Sequence, residues 1–212
     1  MFKTLMVAMA GLGLSAAVSA QELVEGQDYT LLDPPVATQV DDDQIEVTEV
    51  FWFGCPHCYR LQTPVSEWYE TLDDDVSVVH MPATMGGNWN IHANAFYAAQ
   101  SLGIEEDLHA DFFDAIHQDG RELTDADEIA EFFANYGVSE EDAKKALTSF
   151  NVRSQANKAN SRMREMRLMG VPALVVDGRY VITPSTAGSL ENIPQVAEAL
   201  IERVREERAQ EE

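Results

Sequence analysis

The sequence is short of basic side chains, short of cysteine and, beyond its first twenty residues, without a long apolar run. Its 212 residues carry 14 Lys and Arg against 37 Asp and Glu, a formal net charge of -23. Nucleic-acid binding needs clustered cations to meet phosphates, and docking on an anionic membrane needs the same, so the acidic balance argues against both. Two cysteines permit at most one internal disulfide. That is too few for a small stapled scaffold or for a four-cysteine zinc or iron–sulfur centre. What the chain does have is apolar mass. At 45% hydrophobic residues it can bury a real core, and its length fits one domain, or one domain carrying an insertion.

The N-terminus reads as an address. Lys3 is the only charge in the first 21 residues, Leu5 to Val18 is a largely apolar stretch of 14, and Val18-Ser19-Ala20 places small residues at a cleavage site. This is the pattern of a secretory signal peptide cut after Ala20. The stretch is too short for the roughly 20 apolar residues that span hydrocarbon, and it contains Gly11 and Gly13. Cleavage leaves 192 residues and, because Lys3 departs, a charge of -24. Export to an oxidising compartment allows a disulfide to persist.

Residues 21–43 are polar and read as a lead-in arm with at most a short edge strand. Ile45 to Phe53 is an almost continuous run of β-branched and aromatic residues, as in a central strand buried on both faces. Cys55-Pro56-His57-Cys58 follows Gly54 and opens a helical pattern to about Leu72, with Pro56 suited to the first turn and Pro64 expected to kink it. Val76 to Met81 reads as another buried strand, so strand, helix and strand make a parallel crossover. From Asn88 to Met169 the pattern is helical: Ile91 to Leu102, Glu105 to His117, Ala126 to Tyr136, Glu140 to Phe150 and Val152 to Met169. Thr124 with Asp127 and Ser139 with Asp142 resemble capping boxes. Ala173 to Val176, an Asp177-Gly178 turn and Tyr180 to Thr183 form a hairpin, and Ile193 to Val204 has the apolar spacing of a final helix. The expected organisation is a signal peptide at 1–20, an α/β platform at 21–87 and 161–212, and a helical insertion at 88–160.

The chemistry centres on Cys55 and Cys58. A cysteine at a helix N-terminus faces unpaired backbone N–H groups and the positive end of the macrodipole, which favour the thiolate. A second cysteine one turn on can reach the first sulfur, so a mixed disulfide on Cys55 can be formed or resolved by Cys58. His57 between them can donate toward the thiolate or carry positive charge beside it. Glu49 stands within the apolar strand six residues before Cys55, where an unpaired carboxylate is costly. Pro172, between Gly170 and a strand, suits a tight turn better than a ladder.

Phe53-Gly54-Cys55-Pro56-His57-Cys58-Tyr59 after one strand, Met85-Gly86-Gly87 after the next, a helical insertion and Gly170-Val171-Pro172-Ala173 before a hairpin together resemble the DsbA family of periplasmic thiol:disulfide oxidoreductases, over essentially the whole mature chain. The resemblance implies an α/β, thioredoxin-like fold with an inserted all-helical subdomain. It implies that Cys55 is the exposed nucleophile, that Cys58 is the buried resolving cysteine, and that Pro56 and His57 tune the potential. Glu49 matches the family's buried acid, expected to move a proton to or from Cys58. Val171 and Pro172 match its cis-proline loop, which binds an extended substrate segment. Gly54 departs from the Phe often found at that position. No cofactor beyond the Cys55–Cys58 disulfide and no metal is implied. The implied partners are unfolded exported proteins and a DsbB-like, quinone-linked membrane reoxidant, in the periplasm of a Gram-negative bacterium, with the protein acting as a monomer.

Other readings attach to the same residues. A disulfide isomerase or reductase on this fold would keep both cysteines reduced, and such isomerases usually carry a dimerisation domain for which 192 residues leave no room. A non-enzymatic reading is a metal- or peptide-binding chaperone, and an inert structural disulfide is the plainest of all. His80, His92, His109 and His117 read as surface or packing residues, Trp52 and Trp89 as aromatics near the site, and the acidic runs as solvated turns and helix starts.

Overall fold

The computed structural model describes residues 23–211, and the expected signal peptide lies outside the described residues. Five strands form one sheet in the order β1-β5-β4-β2-β3. They are β1 (Thr30–Leu31), β2 (Ile45–Phe51), β3 (Val76–Pro82), β4 (Ala173–Val176) and β5 (Tyr180–Ile182). Only β2 and β3 run parallel, joined by α1 (Pro56–Tyr69), as the crossover pattern predicts. Every residue of β2 is buried, as expected of a central strand, although Glu46, Thr48 and Glu49 interrupt its apolar side chains. By contrast, β3 is the sheet's edge and its first five residues are only half-buried, so it is not the fully buried strand expected from its composition. The Asp177-Gly178 turn has positive φ at both residues, +52° and +61°, the conformation that a two-residue hairpin of the primed type requires.

Between β3 and β4 the chain is helical: α2 (Asn88–Leu102), α3 (Glu105–His117), α4 (Ala126–Ala134), α5 (Glu140–Leu147) and α6 (Phe150–Glu165). Several boundaries differ from expectation: α1 ends at Tyr69 and not at about Leu72, α4 ends at Ala134 and not at Tyr136, and α6 runs Phe150–Glu165 where Val152 to Met169 was expected. Asp125, not Thr124, caps α4, because its carboxylate accepts from the N–H groups of Asp127 and Glu128. The helix expected to reach Phe150 stops at Leu147, and Ser149 caps a new one by accepting from Val152 N. Ser139 does cap α5, accepting from Asp142 N. The helix α1 continues through Pro64.

Alternation along β2 distributes the core. Ile45 and Val47 pack with α1 and with α7 (Ile193–Glu211), through Leu61, Val65, Leu200 and Ile201. Val50 faces the other way, toward Met163 and Met166 at the end of α6. Phe51 and Phe53 lead into the helical region, against Phe96, Phe112 and Phe113. The register of period two also buries two carboxylates on opposite faces of β2, Glu46 and Glu49, both with no exposure. Glu46 is paired with Arg162 of α6 at 2.9 Å and accepts from the Thr48 hydroxyl at 2.6 Å.

Candidate active site

The strand β2 leads into the site and α1 organises it. Cys55 is the N-cap of α1, with extended backbone (φ -91°, ψ 115°), and Pro56 takes the first helical position as expected. The Cys55 sulfur accepts from Cys58 N at 3.4 Å, so one of the helix's unpaired donors is aimed at it. Both cysteines are free thiols. Cys58 is fully buried, and Cys55 retains only 7% exposure. That is less open than the resemblance implies, because the Val171 loop lies over it: the thiol is 3.9 Å from Val171 O. The Val171–Pro172 peptide is cis.

This placement makes the two sulfurs unlike. The Cys55 pKa is held down from its usual 9.0 to about 6. A hydrogen bond from the Cys58 thiol is the largest cause; burial opposes it, and the N–H groups of Cys58 and His57 and the charge of the His57 ring reinforce it. Cys58 moves the other way, its thiol pushed well above the usual range by burial, then by Cys55 and by the charge of Glu49. At neutral pH Cys55 is therefore a thiolate and Cys58 a thiol, the division of labour that exchange chemistry requires.

The surroundings fix this pair. His57 is exposed, and the Arg60 guanidinium lies 2.6 Å from its Nδ1. The Tyr59 hydroxyl donates to Asp114 at 2.8 Å while its ring stacks on His117, and His117 Nε2 bonds Phe53 O at 2.7 Å. These contacts tie the first turn of α1 to α3. Trp52 stacks on Trp89 with ring centroids 4.2 Å apart. A Cβ at residue 54 would lie 2.4 Å from the Trp52 ring, which accounts for Gly54: the indole fills the space that a larger side chain would need.

Glu49 is buried on the α1 side of β2. It accepts from the Tyr69 hydroxyl at 2.9 Å and from Gln62 Nε2 at 3.3 Å, and His80 Nδ1 lies 3.6 Å away. Tyr69 is kept protonated by burial first and by Glu49 itself. Gln62 and Tyr69 went unrecognised in the sequence, although they follow Cys58 at helical spacing along one stripe of α1. Beyond the cis peptide, a groove of about 450 Å³ runs along Leu32, Leu168, Met169, Val171, Pro172 and Pro184. Met169 at its side is 92% exposed.

A parallel β–α–β platform carrying Cys-x-x-Cys at a helix N-terminus, faced by a cis-proline loop and interrupted by helices, defines a thioredoxin-like disulfide oxidoreductase. A family model for the DSBA-like thioredoxin domain matches residues 46–200. The chain is 40% identical over 189 residues to the thiol:disulfide interchange protein DsbA of Azotobacter vinelandii, covering 89% of this chain and 88% of that one. It is 38% identical over 202 residues to DsbA of Pseudomonas aeruginosa, covering 95% of each. The crystal structure of Pseudomonas aeruginosa DsbA superposes with a TM-score of 0.82 at 37% identity, over 87% of this chain and 95% of that one. The chain belongs to the DsbA family and is a disulfide oxidoreductase.

Proposed function

We propose that the protein is an exported dithiol oxidase. It donates the Cys55–Cys58 disulfide to newly exported, reduced proteins in the periplasm of a Gram-negative bacterium. A quinone-linked membrane protein similar to DsbB then restores the disulfide. The observation that carries this direction of transfer is the Cys55 pKa of about 6 beside a buried, protonated Cys58. A stabilised thiolate favours the reduced form, and a favoured reduced form makes the disulfide an oxidant. The export pattern of residues 1–20 supports the compartment.

In the reaction a substrate thiolate attacks the Cys55 sulfur. The Cys55–Cys58 bond breaks, the electron pair goes to Cys58, and a substrate–Cys55 mixed disulfide forms. Glu49, hydrogen-bonded to Tyr69 and Gln62, provides the acid–base group on the buried side through which Cys58 takes up its proton. A second substrate thiolate then attacks the substrate sulfur of the mixed disulfide, and Cys55 leaves as the stabilised thiolate. Val171 and Pro172 hold the substrate segment as an added extended strand, with the Met169 side of the groove receiving its side chains. Apart from the cysteine pair no cofactor takes part, and the protein acts as a monomer.

Trapping tests the reading. A mature Cys58→Ala protein exposed to reduced clients, under mild oxidation, is expected to accumulate mixed disulfides on Cys55 that reductant releases. Client binding without covalent adducts would point instead to a peptide-holding chaperone.

A further inference from the structure

A second cluster of chemically active side chains lies where β3, α3 and α1 meet. His80 of β3 and Glu105 and His109 of α3 each offer one ligand atom, and all three atoms lie within 4.8 Å of one another. Local structure explains the convergence. Glu105 and His109 are four residues apart on a helix and so share a face, with His109 Nδ1 2.9 Å from Glu105 Oε1. His80 reaches them from the sheet edge, its ring centroid 5.1 Å from that of His109. The three side chains border an open groove of about 660 Å³ whose other walls include Gln62, Glu70 and Glu106, so an ion has a path in.

Two polar atoms here have no hydrogen-bond partner although they are buried: Nδ1 of His80 and Nε2 of His109. Buried unsatisfied nitrogen is rare enough to need a reason. His80 Nδ1 lies 3.6 Å from Glu49 Oε2, beyond hydrogen-bonding distance. The pair is set by register, since Glu49 and His80 are direct neighbours across the parallel β2–β3 ladder.

We propose that His80, Glu105 and His109 form a binding site for a divalent transition-metal cation, zinc above all. Two imidazole nitrogens and one carboxylate are a donor set that suits zinc, leaving a fourth position for water from the groove. Ligand atoms about 2.0–2.2 Å from a tetrahedral ion stand roughly 3.4 Å apart, a spacing that side-chain rotations can reach from three atoms all within 4.8 Å of one another. Glu49 acts behind the ligands: with Nδ1 of His80 turned to it, the ring's other nitrogen binds the ion, and the carboxylate orients the ring as an outer-shell acceptor. Glu70 and Glu106 add negative potential at the mouth.

The test uses the mature protein with Cys55 and Cys58 joined as a disulfide, so that neither thiol can ligate and redox activity plays no part in the readout. Calorimetric titration with zinc chloride is expected to show one equivalent bound in the micromolar range. Titration with cobalt(II) is expected to give the visible absorption of a tetrahedral site. Glu105→Gln and His80→Gln are each expected to weaken zinc by about tenfold or more, and Glu49→Gln by about tenfold. No binding of either metal at millimolar concentration would overturn the proposal. So would unchanged affinity in folded Glu105→Gln and His80→Gln proteins, which would place the ion on the acidic surface. Should those variants fail to fold, X-ray absorption of the cobalt-loaded wild type decides: two imidazole ligands are expected, and an all-oxygen shell refutes the site.

Discussion

Removing the Cys58 thiol should raise the Cys55 pKa, while replacing it with a hydroxyl should leave that pKa nearly in place. The hydrogen bond from the Cys58 thiol is the largest cause of the depressed value near 6. A hydrogen bond to a charged group contributes about 1.5–3 kcal/mol, and each pH unit corresponds to about 1.4 kcal/mol. Cys58→Ala should therefore titrate Cys55 about one to two pH units higher. The N–H of residue 58, at 3.4 Å, keeps it from returning fully to 9.0. Cys58→Ser retains a donor and should stay within about half a unit of wild type. Ultraviolet absorbance of the thiolate against pH, checked by alkylation rate, reads the difference. If Cys58→Ala still titrates near 6, the helix end alone holds the thiolate and the proposed dominance of the sulfur–sulfur contact is wrong. The pH window follows from the direction of the shift. Because the folded pKa lies below the unfolded one, the thiolate's stabilisation is complete above about 9 and disappears as pH falls through about 6. At pH 7 linkage gives about 1.4 kcal/mol, which solvent at the sulfur reduces to about 1 kcal/mol, or about 20 mV of oxidising bias.

Glu49→Gln keeps the hydrogen-bonding shape but removes the proton-transfer group. Resolution of a glutathione mixed disulfide on Cys55 by Cys58, followed by stopped flow, should slow by about a hundredfold, the low end for a positioned acid–base group; an unchanged rate would remove Glu49 from the mechanism. Gly54→Ala places a methyl 2.4 Å from the Trp52 ring and should cost about 1–3 kcal/mol, with altered tryptophan fluorescence as the stack on Trp89 opens. Wild-type fluorescence and melting in that variant would contradict the steric account of Gly54. Arg162→Met leaves the fully buried Glu46 without its countercharge and should lower stability by about 3 kcal/mol in urea denaturation. A loss below about 1 kcal/mol would mean that Thr48 and the Gln39 N–H suffice.

The elements that position the cysteines were legible because each carries a local cause. The apolar run of β2, the Pro56 at the first turn of α1 and the Asp177-Gly178 hairpin are all decided within a few residues. The same holds for the pattern of helices between β3 and β4. What depends on pairing across the chain was not legible. The composition of β3 matches a central strand, yet its place in the order leaves it at the edge. Glu49 stood out as a carboxylate in an apolar strand, but its partners Tyr69, Gln62 and His80 are assembled by the crossover and the ladder register. The histidines read singly as packing residues; the convergence of His80 with Glu105 and His109 needs β3 and α3 to be brought together in space. The two caps compete over a single residue, and Asp125 wins over Thr124 because its carboxylate reaches two N–H groups.

The equilibrium of the Cys55–Cys58 pair with glutathione, followed from about pH 5 to about pH 8, is the most direct test of an oxidising disulfide. Glutathione should reduce the pair readily. The potential should change by about 30 mV per pH unit above the Cys55 pKa near 6, where reduction takes up one proton, and by about 59 mV per unit below it. A disulfide that resists reduction by glutathione, or a slope near 59 mV across the whole range, would contradict a stabilised Cys55 thiolate and the direction of transfer built on it.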